Sequence, residues 1–211
     1  MKRHRITAAL LLALALACGG QKEQAKPAAA VARPEPPLDT LPTAVIRVRD
    51  FGEIRVALRS DVAPQTVANL KKLADAKFYD GTTFHRVIPE FMIQGGDPNT
   101  KDRDPRNDGM GGPGWRIPDE ASGISHLRGV MSMANAGPGT GGSQFFILVA
   151  DQPNLDGKHT AFGRVIEGMD VADEISHVER DQYGRYGPLD RPMKDVVIES
   201  LVVEPPKTPA P

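Results

Sequence analysis

Cysteine is almost absent from this chain. One residue of 211, Cys18, is a cysteine, so no intramolecular disulfide can hold the fold. An excess of charge of either sign is missing too. Lys and Arg number 26 against 27 Asp and Glu, interspersed, for a formal charge of -1; that balance leaves neither a nucleic-acid footprint nor a polyacidic tail. No apolar run can cross a bilayer, since Ile6 to Leu16 falls well short of the ~20 residues a spanning helix needs. There is no internal repeat, which excludes a solenoid or propeller.

What is present at the amino end is an export signal. Lys2, Arg3 and Arg5 form a positive n-region ahead of the Ile6–Leu16 h-region. Ala15-Leu16-Ala17-Cys18 then reads in two ways. It resembles a bacterial lipobox with Cys18 as the lipidated first residue of the mature chain, although the usual order of Leu at minus three and a small residue at minus two is reversed. It is also an A-x-A site, which would release a soluble periplasmic protein. The lipobox is the preferred reading, because a cysteine directly after an h-region in a chain with no other is otherwise unexplained. Acyl chains on Cys18 would hold the protein on a membrane.

The expected organisation is a signal over 1–17, a lipid-anchored Pro/Ala-rich linker over 18–43, one domain over 44–203 and a flexible tail over 204–211. The linker lacks aromatic residues and cannot bury enough apolar area to offset its entropy. The domain, at roughly 160 residues, can build a core without a metal.

Within it, Ile46 and Val48, then Ile54, Val56 and Leu58, alternate with polar residues on both sides of Asp50-Phe51-Gly52, the period of a hairpin with one buried face. Val67, Leu70, Leu73 and Ala74 recur at helical spacing after Pro64, which suits a first helical turn. Further strands are expected at 83–87, 91–94, 129–133, 145–149, 161–166 and 196–203, and a short second helix at 169–175. Many short strands with two helices imply a mainly β protein, a closed antiparallel barrel capped by two α-helices. The stretches 95–118 and 176–192 read as surface loops.

The densest segment is Phe84-His85-Arg86-Val87-Ile88-Pro89-Glu90-Phe91-Met92-Ile93-Gln94-Gly95-Gly96-Asp97. It resembles the active-site strand pair of the cyclophilins. The resemblance continues in order through Met131-Ser132-Met133-Ala134-Asn135-Ala136-Gly137-Pro138, Gly142-Ser143-Gln144-Phe145-Phe146-Ile147, Leu155-Asp156-Gly157-Lys158-His159 and Phe162-Gly163-Arg164-Val165. It covers residues 44 to 203 and implies the family's closed eight-stranded barrel with two helices. It also implies peptidyl-prolyl cis-trans isomerase activity on X-Pro bonds, with no cofactor and no metal.

Carried over by position, Arg86 would be the catalytic residue. Phe91, Met92, Phe146 and Leu155 would line a proline pocket that His159 closes. Gln94 and Gln144 would orient Arg86 and the substrate backbone, while Ala134, Asn135 and Ala136 would supply the edge along which the peptide lies. His85 and Gly109 fall at further substrate-contacting positions. One departure matters: many cyclophilins have Trp where this chain has Asn154, which implies weak inhibition by cyclosporin. Trp115, the only tryptophan, lies in the long loop.

Sharper-looking alternatives fail. Ser143, Asp156 and His159 suggest a hydrolase triad, but Ser143 lacks a G-x-S-x-G elbow. Asp104 to Gly109 is a poor calcium loop, and Gly109 to Gly114 lacks the Lys-Ser/Thr of a phosphate loop. His126 and His177 stand alone in sequence and read as exposed or structural. The expected partners are therefore proline-containing polypeptides and, through Cys18, a membrane; no nucleic acid partner is expected, and the protein reads as a monomer. A proline-binding chaperone module without turnover is the alternative, which could dispense with Arg86.

Overall fold

The computed structural model describes residues 35–206. The signal segment, Cys18, most of the linker and the end of the tail lie outside the described residues.

The hairpin expected around Asp50 is strands β1 (Thr43–Val48) and β2 (Gly52–Leu58), with Ile46 opposite Ile54 and Arg47 opposite Glu53. Helix α1 (Pro64–Asp75) buries Val67, Leu70, Leu73 and Ala74, the face its spacing predicts. Its start carries an unexpected device. Ala63, at the N-cap, has no side-chain oxygen to offer the first free N–H groups. The Glu120 carboxylate supplies them, accepting from Gln65 N at 3.0 Å, Thr66 N at 2.8 Å and Thr66 Oγ1 at 2.7 Å. An anion at a helix N-terminus is favourable, and here it ties the long loop to the helix.

The remaining strands are β3 (Phe84–Ile88), β4 (Met92–Gly95), β5 (Val130–Met133), β6 (Phe145–Leu148), β7 (Ala161–Glu167), the two-residue β8 (Arg180–Asp181) and β9 (Arg191–Pro192), and β10 (Ile198–Glu204); helix α2 spans Met169–Ser176. Eight strands form one antiparallel sheet in the order β10-β1-β2-β7-β5-β6-β4-β3. It curls into a half-barrel, and the closed barrel expected from sequence is not formed. The free edges of β10 and β3 meet at a single bridge, Thr83 to Val197. The reason lies in who occupies the edge of β3. Phe84 N donates to Val196 O, but further along Val87 N donates to Asp190 O, just before β9. The segment read as a plain loop thus contains a small ribbon, β8–β9, that takes the place of a continuing ladder.

Alternation within the strands sorts two cores. Phe84, Val87, Ile93, Met131, Phe145 and Ile147 point inward, with Leu70 and Ile175 of the helices. The residues between them point outward, yet Met92, Val130, Phe146, Leu148 and Ala161 are also buried, in a second cluster. The unbroken apolar run in β6 follows from this, because both of its faces are covered.

Candidate functional site

The second cluster is where the site lies. Antiparallel pairing places Arg86 opposite Gln94, Gln94 opposite Phe146, Phe146 opposite Ser132, and Ser132 opposite Ala161. One row across the outer face thus runs from an edge cation through a glutamine to an aromatic floor. Met92 and Phe146, 2% and 5% exposed, are that floor; Phe91, Leu155 and Ala134 pack against it. His159 stands perpendicular to Phe146 at 5.3 Å, its Nδ1 3.2 Å from Met133 O. Burial holds the His159 pKa below its ordinary value and favours the neutral ring. The five side chains assigned to a proline pocket are therefore gathered in one place.

Arg86 sits at its rim, the guanidinium carbon 6.0 Å from the Phe91 ring centroid. Among the described residues it makes no hydrogen bond or ion pair, whereas Arg47, Arg55, Arg59, Arg128, Arg180 and Arg191 each hold a carboxylate. Its donors are free for a ligand. Gln94 does not bond Arg86; its Nε2 donates to Gln144 Oε1 at 2.9 Å, and Gln144 Nε2 donates to Gly109 O and Gly111 O at 3.0 and 2.9 Å. The two glutamines brace the 109–111 loop beside the arginine.

Along the 134–136 segment, Ala134 N is taken by Gln144 O and Ala136 N by Thr140 Oγ1. The Asn135 side chain turns inward, donating to Lys158 O at 2.9 Å. The backbone N–H and C=O of Asn135 have no partner among the described residues, which leaves one donor and one acceptor able to pair with an extended chain. Beyond Asn135 opens a cavity of about 470 Å³ whose walls include Gln94, Gly109, Ala134, Asn135, Ala136 and Gln144. The expected site residues thus fall into an apolar pocket and a polar cavity that adjoin at Gln94 and Ala134.

His85 does not join them. Phe84 pairs with Gly95 and Arg86 with Gln94, so His85 is the extra residue of a bulge. It is 2% exposed, and neither ring nitrogen has a hydrogen-bond partner. Burial, partly offset by Asp97, lowers its pKa to about 4. Expected from sequence at a further substrate-contacting position, it lies beneath the loop, where a Cβ on Gly109 would come within 3.6 Å of its Nε2. Asp97, fully buried, holds that loop by accepting from Asn99 N and Gly111 N. Gly96 has φ +87°, and a Cβ there would lie 2.6 Å from Ser143 O, so only glycine fits. Trp115 donates to Asn69 Oδ1 of α1 at 2.9 Å and carries Lys72 over its ring. It is committed to the helix.

His126, read from sequence as exposed or structural, proves structural and underlies the pocket. It is 1% exposed, and its ring stacks on Phe146 with centroids 6.3 Å apart. Nδ1 lies 2.8 Å from Asp156 Oδ1, and Nε2 lies 2.8 Å from Ser132 Oγ. The order Asp-His-Ser matches a hydrolase relay, but Ser132 is fully buried under the pocket floor and cannot meet a substrate. Ser143, the candidate from sequence, is spent donating to Gly96 O. Long-range pairing to Asp156 gives no local signal in sequence; only the aspartate of the Leu155-Asp156-Gly157 block hinted at it.

A guanidinium without a carboxylate partner beside an apolar pocket of ring size suits a site that grips an apolar ring and offers it a hydrogen-bond donor. The comparisons with known proteins make this specific. The family model for cyclophilin type peptidyl-prolyl cis-trans isomerase matches residues 43–203, and the chain belongs to that family. Peptidyl-prolyl cis-trans isomerase B of Bacillus subtilis is 47% identical over 137 residues, 64% of this chain and 91% of that protein. Peptidyl-prolyl cis-trans isomerase-like 2 of Cryptococcus neoformans is 44% identical over 161 residues; these are 73% of this chain but only 26% of that longer protein. A Cryptosporidium parvum cyclophilin crystallised with the dipeptide Ala-Pro superposes with a TM-score of 0.67 at 29% identity, covering 77% of this chain and 98% of that one.

Proposed function

We propose that this chain is a working peptidyl-prolyl cis-trans isomerase that assists the folding of exported proteins. Rotation about an X-Pro bond is opposed by amide resonance, a barrier of about 20 kcal/mol, and no covalent bond need break. The apolar pocket grips the proline ring while the backbone N–H and C=O of Asn135 clamp the residue before it. Arg86 then donates to the prolyl nitrogen as it pyramidalises and regains its lone pair. That interaction exists in the twisted state and hardly at all in the planar one, which is the condition for catalysis rather than binding. A gain of about 5 kcal/mol in this way shortens tens of seconds to milliseconds.

The observation that carries the reading is the uncommitted Arg86 guanidinium at the pocket rim. The proline-ligand chemistry of the Cryptosporidium relative supports a proline-containing substrate here. The test is an NMR exchange assay on a short X-Pro peptide with the full chain and its Arg86→Ala variant. The variant, folded by circular dichroism, is expected to lose more than about a hundredfold in kcat/KM, near 3 kcal/mol. Binding without acceleration in the parent would leave a proline-binding module in place of the enzyme.

The cellular setting belongs to the same proposal: a monomeric bacterial protein, exported by its 1–17 signal, acylated on Cys18, and held in the cell envelope by a linker reaching the domain near residue 44. Supporting it are the n-region, the h-region and the position of the lone cysteine.

A further inference from the structure

Nine large apolar side chains are exposed among the described residues, and five of them, Met110, Tyr183, Tyr186, Leu189 and Met193, belong to the 176–195 segment or to the loop that faces it. Tyr183 is 75% exposed and Tyr186 65%. Such clustering marks an interaction site more often than chance scatter does. Bracing beneath them points the same way. The buried Asp181 carboxylate accepts from Tyr183 N at 3.2 Å and Tyr186 N at 2.6 Å, and Arg180 pairs with Asp190 at 3.0 Å. Arg191 clamps the ribbon to Asp108 of the facing loop at 2.8 Å. A Cβ on Gly187 would come within 3.3 Å of Pro105, so the two segments are in close contact. A merely solvated loop needs none of this frame, and aromatic side chains held on it lose little freedom when they bind.

The patch continues the substrate groove. Met110 lines the cavity beside Asn135 and Gln144 and also a second cavity of about 660 Å³ bounded by Pro105, Arg185, Tyr186 and Pro188. Of the charges there, Arg106 is taken by Asp104 and Asp108 by Arg191. Arg185 lies over Tyr183 at 5.1 Å and has no carboxylate partner among the described residues. An occupant with an aromatic or proline side chain next to an acidic one matches this surface.

We propose that the Tyr183–Tyr186 surface is an extended subsite for the same polypeptide substrate, taking residues on the amino side of the scissile-free X-Pro bond, with preference for an aromatic residue beside an acidic one. This rests on the isomerase reading, in which the residue before proline lies on Asn135 and the chain runs from there toward Met110.

The experiment measures KM and kcat by NMR exchange for an X-Pro tetrapeptide and for two longer peptides that add Glu-Tyr-Glu-Tyr on the amino or the carboxyl side. The full chain is used, with Tyr183→Ala/Tyr186→Ala and Arg185→Glu variants, whose changes lie on exposed side chains. The amino-side extension is expected to lower KM about tenfold, as for a small hot spot, and the carboxyl-side extension to leave it unchanged. In both variants the ratio of extended peptide to tetrapeptide should fall to about one. Equal gains from both extensions, or a ratio the variants do not move, would overturn the subsite. Loss of binding to anionic-lipid vesicles in the variants, with peptide ratios intact, would assign the patch to a membrane surface instead. A parent inactive on the tetrapeptide would count against the isomerase reading itself, whereas an active parent without an extension effect counts only against the subsite.

Discussion

His85 carries a cost that the fold accepts in order to seat a loop. Its ring is buried without a partner at either nitrogen, and its pKa falls from 6.5 to about 4. Because the folded pKa lies below the unfolded one, the unfolded chain binds the extra proton between these values. Above pH 6.5 the ring is neutral in both states and adds no pH dependence, and stability drains away as pH falls from there toward 4, by on the order of 3 kcal/mol in full. Urea unfolding at pH 7 and pH 4.5 measures this. His85→Gln should narrow the gap between the two pH values by most of that amount, and an undiminished gap would mean that other groups set the acid limb. His126 is the opposite case, a buried ring with both nitrogens engaged. His126→Phe keeps the stack on Phe146 but strands the Ser132 hydroxyl, so unfolding should show a loss of about 1–3 kcal/mol. Since Phe146 floors the pocket, kcat should fall severalfold per folded molecule. A stability loss with kcat unchanged would confine His126 to holding the fold.

Elements repeat the lesson with longer reach. The strands were legible because inward and outward residues alternate, and α1 because Val67, Leu70, Leu73 and Ala74 keep helical spacing. The motif around Arg86 carried Phe91 and Met92 of the apolar pocket, and the later motif blocks carried Phe146, Leu155 and His159. What escaped reading was whatever depends on partners distant in sequence. The bulge at His85 arises from pairing with β4, and the ribbon in 176–192 is only two residues per strand, too short to show a period. The cap on α1 comes from Glu120, which nothing at Ala63 announces. Glu120→Ala should therefore cost about 1–2 kcal/mol, and Gln65 and Thr66 amides should exchange faster, while Glu120→Gln retains an acceptor and most of the stability. Amide exchange by NMR separates the two; unchanged protection in Glu120→Ala would show that water replaces the carboxylate at no cost.

At the scale of the whole molecule, the half-barrel holds the pocket on its outer face, so that a substrate chain can lie across the sheet without entering the core. Under the proposed envelope setting, an anchor at Cys18 would decide which polypeptides the domain meets. The Pro/Ala-rich stretch ahead of Glu35 contains Pro27 and Pro34 and no aromatic residue. An envelope enzyme so placed would meet chains as they emerge from export, before slow X-Pro steps have run their course. The prediction is that the full chain, expressed in a bacterium, sediments with membranes and incorporates labelled palmitate, and that Cys18→Ser moves it to the soluble periplasmic fraction with catalytic constants unchanged. Soluble, unlabelled parent protein would select the A-x-A site instead, and the isomerase would then act as a free periplasmic catalyst.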